Sequence, residues 1–147
     1  MDYLAAFDIS ASGMVVEKTR LDVVAMNLAN VHTTRGPNGT QYKPMKVITG
    51  ANTSGLFQGY MDGLQHQNSI SGAHVVSVQS MDVPPRMVFE PQHPDANEKG
   101  FVAYPNINTM SEMVTMMETL RSYEANVRAL NASKTMAQRA LEIGSQK

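Results

Sequence analysis

The chain has 147 residues, a formal net charge of -1 and no cysteine. That length suits about one domain. The near-neutral charge gives no electrostatic case for nucleic acid or an anionic membrane surface, and the lack of thiols excludes disulfides and thiolate metal sites. Leu, Ile, Val and Phe make up only about a fifth of the residues, close to the range of chains that cannot fill a core. Twelve methionines offset part of that deficit. Methionine is flexible and polarisable, so it suits adaptable interfaces better than a uniquely packed interior. Asp2 and Asp8 stand where a cleaved signal peptide would carry basic residues. No run approaches the roughly 20 apolar residues of a membrane span.

Residues 1–31 read as a first helix. Phe7, Met14, Leu21 and Leu28 recur at seven-residue spacing, and Val24 and Val31 each follow three residues after a leucine. Ser10, Ser12 and Gly13 weaken its first half, because serine and glycine form helices less well than alanine. From His32 to Pro44 the chain is loop, with Arg35-Gly36-Pro37-Asn38-Gly39 dense in turn formers. Met45–Thr49 is a short strand candidate. Gly50 to Gly72 shows no period of 2 or 3.6 and reads as a long, mobile loop with room for a hairpin. Ala73–Gln79 is the best strand, Arg86–Glu90 and Phe101–Tyr104 are two more, and Pro91–Gly100 between them is turn chemistry. Pro105-Asn106 then ends any strand.

Thr109 to Gly144 is the longest predicted element. Thr109 with Glu112 has the form of a capping box, and Gly144 sits where a helix can stop in a left-handed turn. Taking Met113 as position a of a heptad, the a line is Met113, Leu120, Val127, Lys134 and Leu141. The d line is Met116, Tyr123, Leu130 and Ala137, so the pattern predicts one apolar seam broken at Lys134. At about 1.5 Å per residue the helix is roughly 50 Å long. A rod that long with one narrow apolar stripe needs a partner along its length. The economical partner is the first helix. The expected fold is therefore mainly α with a small β region: long terminal helices paired in coiled-coil fashion, and an irregular β-rich middle protruding from them. The division is 1–31 and 108–147 as the helical assembly core and 32–107 as the middle region. Asn27, Asn126 and Asn131 flank the two seams, where amides can bond across helices and fix register.

Catalytic and metal-binding patterns are not legible. His32, His66, His74 and His93 are scattered, with no HxxxH or HExxH pair. No GxSxG elbow, GxxxxGK or GxGxxG loop occurs. Asp95 and Glu98 sit in a Pro- and Asn-rich turn and read as solvated. The methionines Met110, Met113, Met116 and Met117 read as a packed interface rather than a ligand groove. The expectation is a chain that is not an enzyme and carries no cofactor or metal.

Several runs together resemble the bacterial flagellar rod and hook protein family. The run Arg20-Leu21-Asp22-Val23-Val24-Ala25-Met26-Asn27-Leu28-Ala29-Asn30, followed by Thr33-Thr34, is similar to the family's LDV-x-A-x-N signature on the N-terminal helix. Gly36 to Tyr42 resembles the GP-x-G-x-x-Y loop of the proximal rod members. So do Pro85 to Pro91, His93 to Val102, Tyr104 to Asn108, Glu112 to Val114 and Arg121 to Val127, with Asn131 and Lys134. Residues 50–72 match nothing in that pattern, and Ser12-Gly13 and then Val15-Val16 depart from its more alanine- and glutamine-rich start. The resemblance implies a structural subunit of the basal-body rod. It implies export by the flagellar type III apparatus without signal cleavage, and polymerisation through the terminal helices. The implied partners are copies of itself, other rod proteins, the export apparatus and surrounding basal-body components, in a rod that spans the periplasm. The expected assembly contacts are Leu21, Val24, Asn27, Leu28 and Asn30 on the first helix. On the second they are Met113, Met117, Leu120, Tyr123, Asn126, Val127, Leu130, Asn131 and Leu141. The rival reading is a soluble coiled-coil adaptor or export chaperone.

Overall fold

Tyr3–Ala29 has no proline and forms helix α1. Asn30 ends it: its side-chain amide donates to the Met26 carbonyl at 2.8 Å, and its own carbonyl accepts from Thr33 N–H at 3.0 Å, which turns the chain away. The computed structural model describes residues 3–36, 39–51 and 72–145. Most of the Gly- and Asn-rich stretch read as a loop lies outside them, as do Pro37, Asn38 and His66.

Met45–Ala51 (β1) and Ala73–Ser80 (β2) pair antiparallel. Ile48 lies opposite Ser77 and Thr49 opposite Val75, so Val76 is the extra residue of a bulge. Both strands pack on α1. Gly72, the residue before β2, comes so close to α1 that an added Cβ would collide with Ser12.

Arg86–Phe89 (β3) and Phe101–Tyr104 (β4) form a second antiparallel pair. Alternation places Val88 opposite Val102 on one face and Phe89 opposite Phe101 on the other. Val102 is fully buried and Tyr104 nearly so, while Phe89, Phe101 and Met87 remain exposed. The turn between the strands is built around Asn97. Its side-chain oxygen accepts from Lys99 N–H at 3.0 Å and Phe101 N–H at 2.9 Å. Gly100 follows with φ of 77°, in the left-handed region, and a Cβ there would lie 2.9 Å from the Phe89 ring.

Thr109–Ser145 forms helix α2. Its cap is Asn108, not the Thr109 of the expected capping box. Asn108 Oδ1 accepts from Ser111 N–H at 3.2 Å and its carbonyl from Glu112 N–H at 3.0 Å. Glu112 does not reach back to close a box; it turns toward α1. Gly144 is not a left-handed stop either, since the helix continues through it to Ser145.

The two helices run antiparallel. Asn27 meets Glu112 at one end and Gly13 meets Asn126 further along, both in the same register. Glu112, Met116, Thr119, Tyr123, Asn126, Leu130, Ser133 and Ala137 of α2 are shielded from solvent at alternating spacings of four and three, with Thr115 half-buried beside them. The expected d line, Met116, Tyr123, Leu130 and Ala137, thus faces inward. The expected a line is displaced by one residue: Glu112, Thr119, Asn126 and Ser133 take its place, while Met113, Leu120, Lys134 and Leu141 are exposed. Val127 is half-buried at the edge. Close approach explains the exchange at Asn126. A Cβ on Gly13 would stand 3.0 Å from the Asn126 amide, so at that level the line of Asn126 has no room for a large branched side chain. Thr119 and Asn126 return their polar groups to their own helix, donating to the carbonyls of Thr115 at 2.7 Å and Ser122 at 3.1 Å.

Candidate functional site: the junction of helices and strands

The most densely bonded point of the described structure is Asn27, 1 % exposed, at the end of α1. Its Nδ2 donates to the Met45 carbonyl at 2.9 Å and, over a longer 3.4 Å, to Glu112 Oε2. Its Oδ1 accepts from Met45 N–H and from the Tyr42 hydroxyl, each at 2.9 Å. A primary amide has two donors and two acceptor sites, and all four are used. Toward Met45 the side chain acts as a neighbouring strand would, exchanging both backbone bonds at the first residue of β1. One residue therefore ties together α1, the loop before β1, β1 itself and the first turn of α2. Burial, and secondarily the Glu112 carboxylate, raises the Tyr42 pKa above its ordinary 10.0.

Beside this junction lies a groove of about 570 Å³ between α1, α2 and β1, lined by Arg20, Met45, Glu112 and Glu118 among others. A second fastening holds the β3–β4 pair to the loop after α1. Thr34 Oγ1 donates to Asp95 Oδ2 at 2.7 Å, and Arg35 approaches the same carboxylate at 3.6 Å. His32 and His93 each meet the Tyr104 ring edge-on, with centroids 6.4 and 6.3 Å away, and the Tyr104 hydroxyl donates to Glu90 at 2.9 Å. Asp95, read from sequence as solvated, is thus a half-buried anchor. Among the described residues no group of three His, Asp or Glu side chains is placed to hold a metal. Among the described residues no helix is long and apolar enough to cross a membrane.

The expected assembly residues divide into two sets. Val24 and Asn27 are buried within the chain, and Leu21, Leu28, Asn30, Tyr123, Asn126, Val127 and Leu130 are half-buried beside them. Met113, Met117, Leu120, Asn131 and Leu141 are exposed. Sequence reasoning missed Glu112 and Tyr42 as partners of Asn27, and Gly13, Thr119 and Ser133 as seam residues. A signal for the seam residues was present: Glu112, Thr119, Asn126 and Ser133 recur every seven positions, but they are polar and an apolar count passes over them.

A model described as the flagellar basal body rod FlgEFG protein C-terminal matches residues 98–143, which hold β4 and nearly all of α2. The flagellar basal-body rod protein FlgC of Bacillus subtilis (strain 168) is 38% identical over 146 residues, covering 95% of this chain and 96% of that protein. The chain belongs to the FlgC family of flagellar basal-body rod proteins. The FlgC of Salmonella typhimurium (strain LT2) is 36% identical over 144 residues, covering 98% of this chain and 99% of its own length. That of Borreliella burgdorferi is 32% identical over 154 residues, covering 97% and 98%. This rod-family chain is a structural subunit of the basal body, and the adaptor reading is not favoured.

Proposed function

We propose that the chain polymerises through its terminal helices into the drive shaft of the flagellum. The helix pair, coiled-coil-like in its seven-residue spacing, forms the inner wall, and the two strand pairs face outward or toward neighbouring subunits. The subunit leaves the cytoplasm through the flagellar type III apparatus without signal cleavage and is built into the part of the rod that crosses the periplasm. Its partners there are copies of itself, other rod proteins and surrounding basal-body components.

One observation carries this reading: full-length kinship with rod proteins is combined with a helix that keeps Met110, Met113, Met117 and Leu120 exposed along one side. Apolar burial is worth roughly 25 cal/mol per Å², so such a side gains most of its stabilisation from a neighbouring subunit. Repeated contact between unlike surfaces then yields an open helical array. The test is fractionation of cells making a tagged chain. Recovery in detergent-extracted basal bodies, with loss of motility when the gene is removed, is the expected result. Confinement to the cytosol as a small soluble oligomer would contradict it.

A further inference from the structure

Two exposed stripes match each other in level and in charge. On α2, Met110, Val114, Met117, Arg121 and Arg128 are all exposed, and their spacings of four, three, four and seven put them on one line at about 100° per residue. On α1, Asp8, Val15, Asp22 and Met26 are exposed at spacings of seven, seven and four, again on one line. This line lies about a quarter turn around the helix from the buried Val16, Val23 and Asn27, each of which follows one of its residues. None of Asp8, Asp22 and Arg121 has an ion-pair partner within the described chain, and Arg128 reaches only Glu124, at 3.6 Å with both side chains mostly exposed.

The register of the helix pair fixes how the two stripes lie along the molecule. With Asn27 level with Glu112 and Gly13 level with Asn126, Met26 is level with Met113 and Asp22 with Met117, while Asp8 falls near Arg128. We propose that the α2 stripe packs side by side, without axial stagger, on the α1 stripe of a second copy of this chain. Met26 then lies against Met110 and Val114, Asp22 comes within side-chain reach of Arg121, and Asp8 within reach of Arg128. Acid on one stripe and base on the other favour this pairing over α2 on α2 or α1 on α1, both of which set like charges together. The contact joins two different surfaces, so it repeats around the axis and does not stop at a dimer. It rests on the rod-subunit reading and adds the partner and the orientation.

The absence of cysteine makes the test direct. Met26→Cys and Val114→Cys are made in separate tagged copies, produced together, and oxidised in isolated basal bodies. A disulfide-linked dimer containing one chain of each kind is expected, with none when either variant is present alone. Self-linking of the Val114→Cys chain, or linking to no other copy, would overturn the proposal. Incorporation without the mixed dimer leaves the rod reading standing, whereas absence from basal bodies removes both. A second arm uses charge. Asp22→Arg alone should cut incorporation and motility, and adding Arg121→Asp in the same chain should restore them. Failure of that rescue, with both variants exported normally, would also overturn the contact.

Discussion

Asn27 has no spare hydrogen-bonding capacity, and that makes its replacement informative. Asn27→Ala orphans the Met45 N–H and C=O, at about 1–3 kcal/mol for each buried group left unpaired. The Met45 amide should then exchange with solvent about tenfold faster or more, while the amides of the β3–β4 pair are unchanged. Unaltered exchange at Met45 would show that the amide is dispensable. Tyr42 gives a pH test of the same junction. Its pKa is raised in the folded chain, so the stability it contributes is complete below pH 10 and is lost as pH rises through the higher folded value. The parent should loosen at the junction in that alkaline window, seen as a tyrosinate absorbance step that Tyr42→Phe lacks. An identical titration in the two proteins would remove Tyr42 from the account. The family signature singled out Asn27, but Glu112 looked like a cap and Tyr42 like a loop residue. Pairings between residues 85 or 15 positions apart leave no local pattern.

At the scale of elements, the four short strands and both long helices were legible because their period, prolines and asparagines act locally. The face that α2 turns inward was legible only by half. Met116, Tyr123, Leu130 and Ala137 follow the apolar rule. The companion line does not: it carries Glu112, Thr119, Asn126 and Ser133, and at Asn126 the close approach of Gly13 leaves little room for anything larger. Gly13→Val should therefore disrupt the pair by about 1–3 kcal/mol, as overpacking does, and lower the helical circular dichroism of the chain. Asn126→Ala in the same chain removes the obstructing amide and should recover much of that signal; no recovery would place the strain elsewhere. Leu120→Asp touches an exposed position, so it should leave the helix signal and export intact yet prevent incorporation into the rod. Normal motility in that variant would argue against this side of α2 as a contact. Gly100→Ala strains a left-handed turn and crowds Phe89, and should loosen the β3–β4 pair locally.

The described residues of the molecule form two small cores instead of one. Val16, Val23 and Val24 are buried along the helices, and Val102 and Tyr104 behind the second strand pair. Against those five, sixteen large apolar side chains among the described residues remain exposed, eight of them on α2. Ordering a residue costs about 1–2 kcal/mol of backbone entropy, so burial this thin holds the junction end of the helices far better than their remaining length. Composition already pointed this way through its shortage of branched apolar residues and surplus of methionine. What it could not show is that Met110, Met113, Met117 and Met136 of α2 stay exposed while Met116 turns toward α1. Hydrogen exchange along α2, compared between the isolated chain and purified rods, tests this most directly. The account predicts fast exchange beyond the first turns of α2 in the isolated chain and strong protection along the whole helix in the rod. Equal, strong protection in both would show a subunit already complete by itself, and would contradict it.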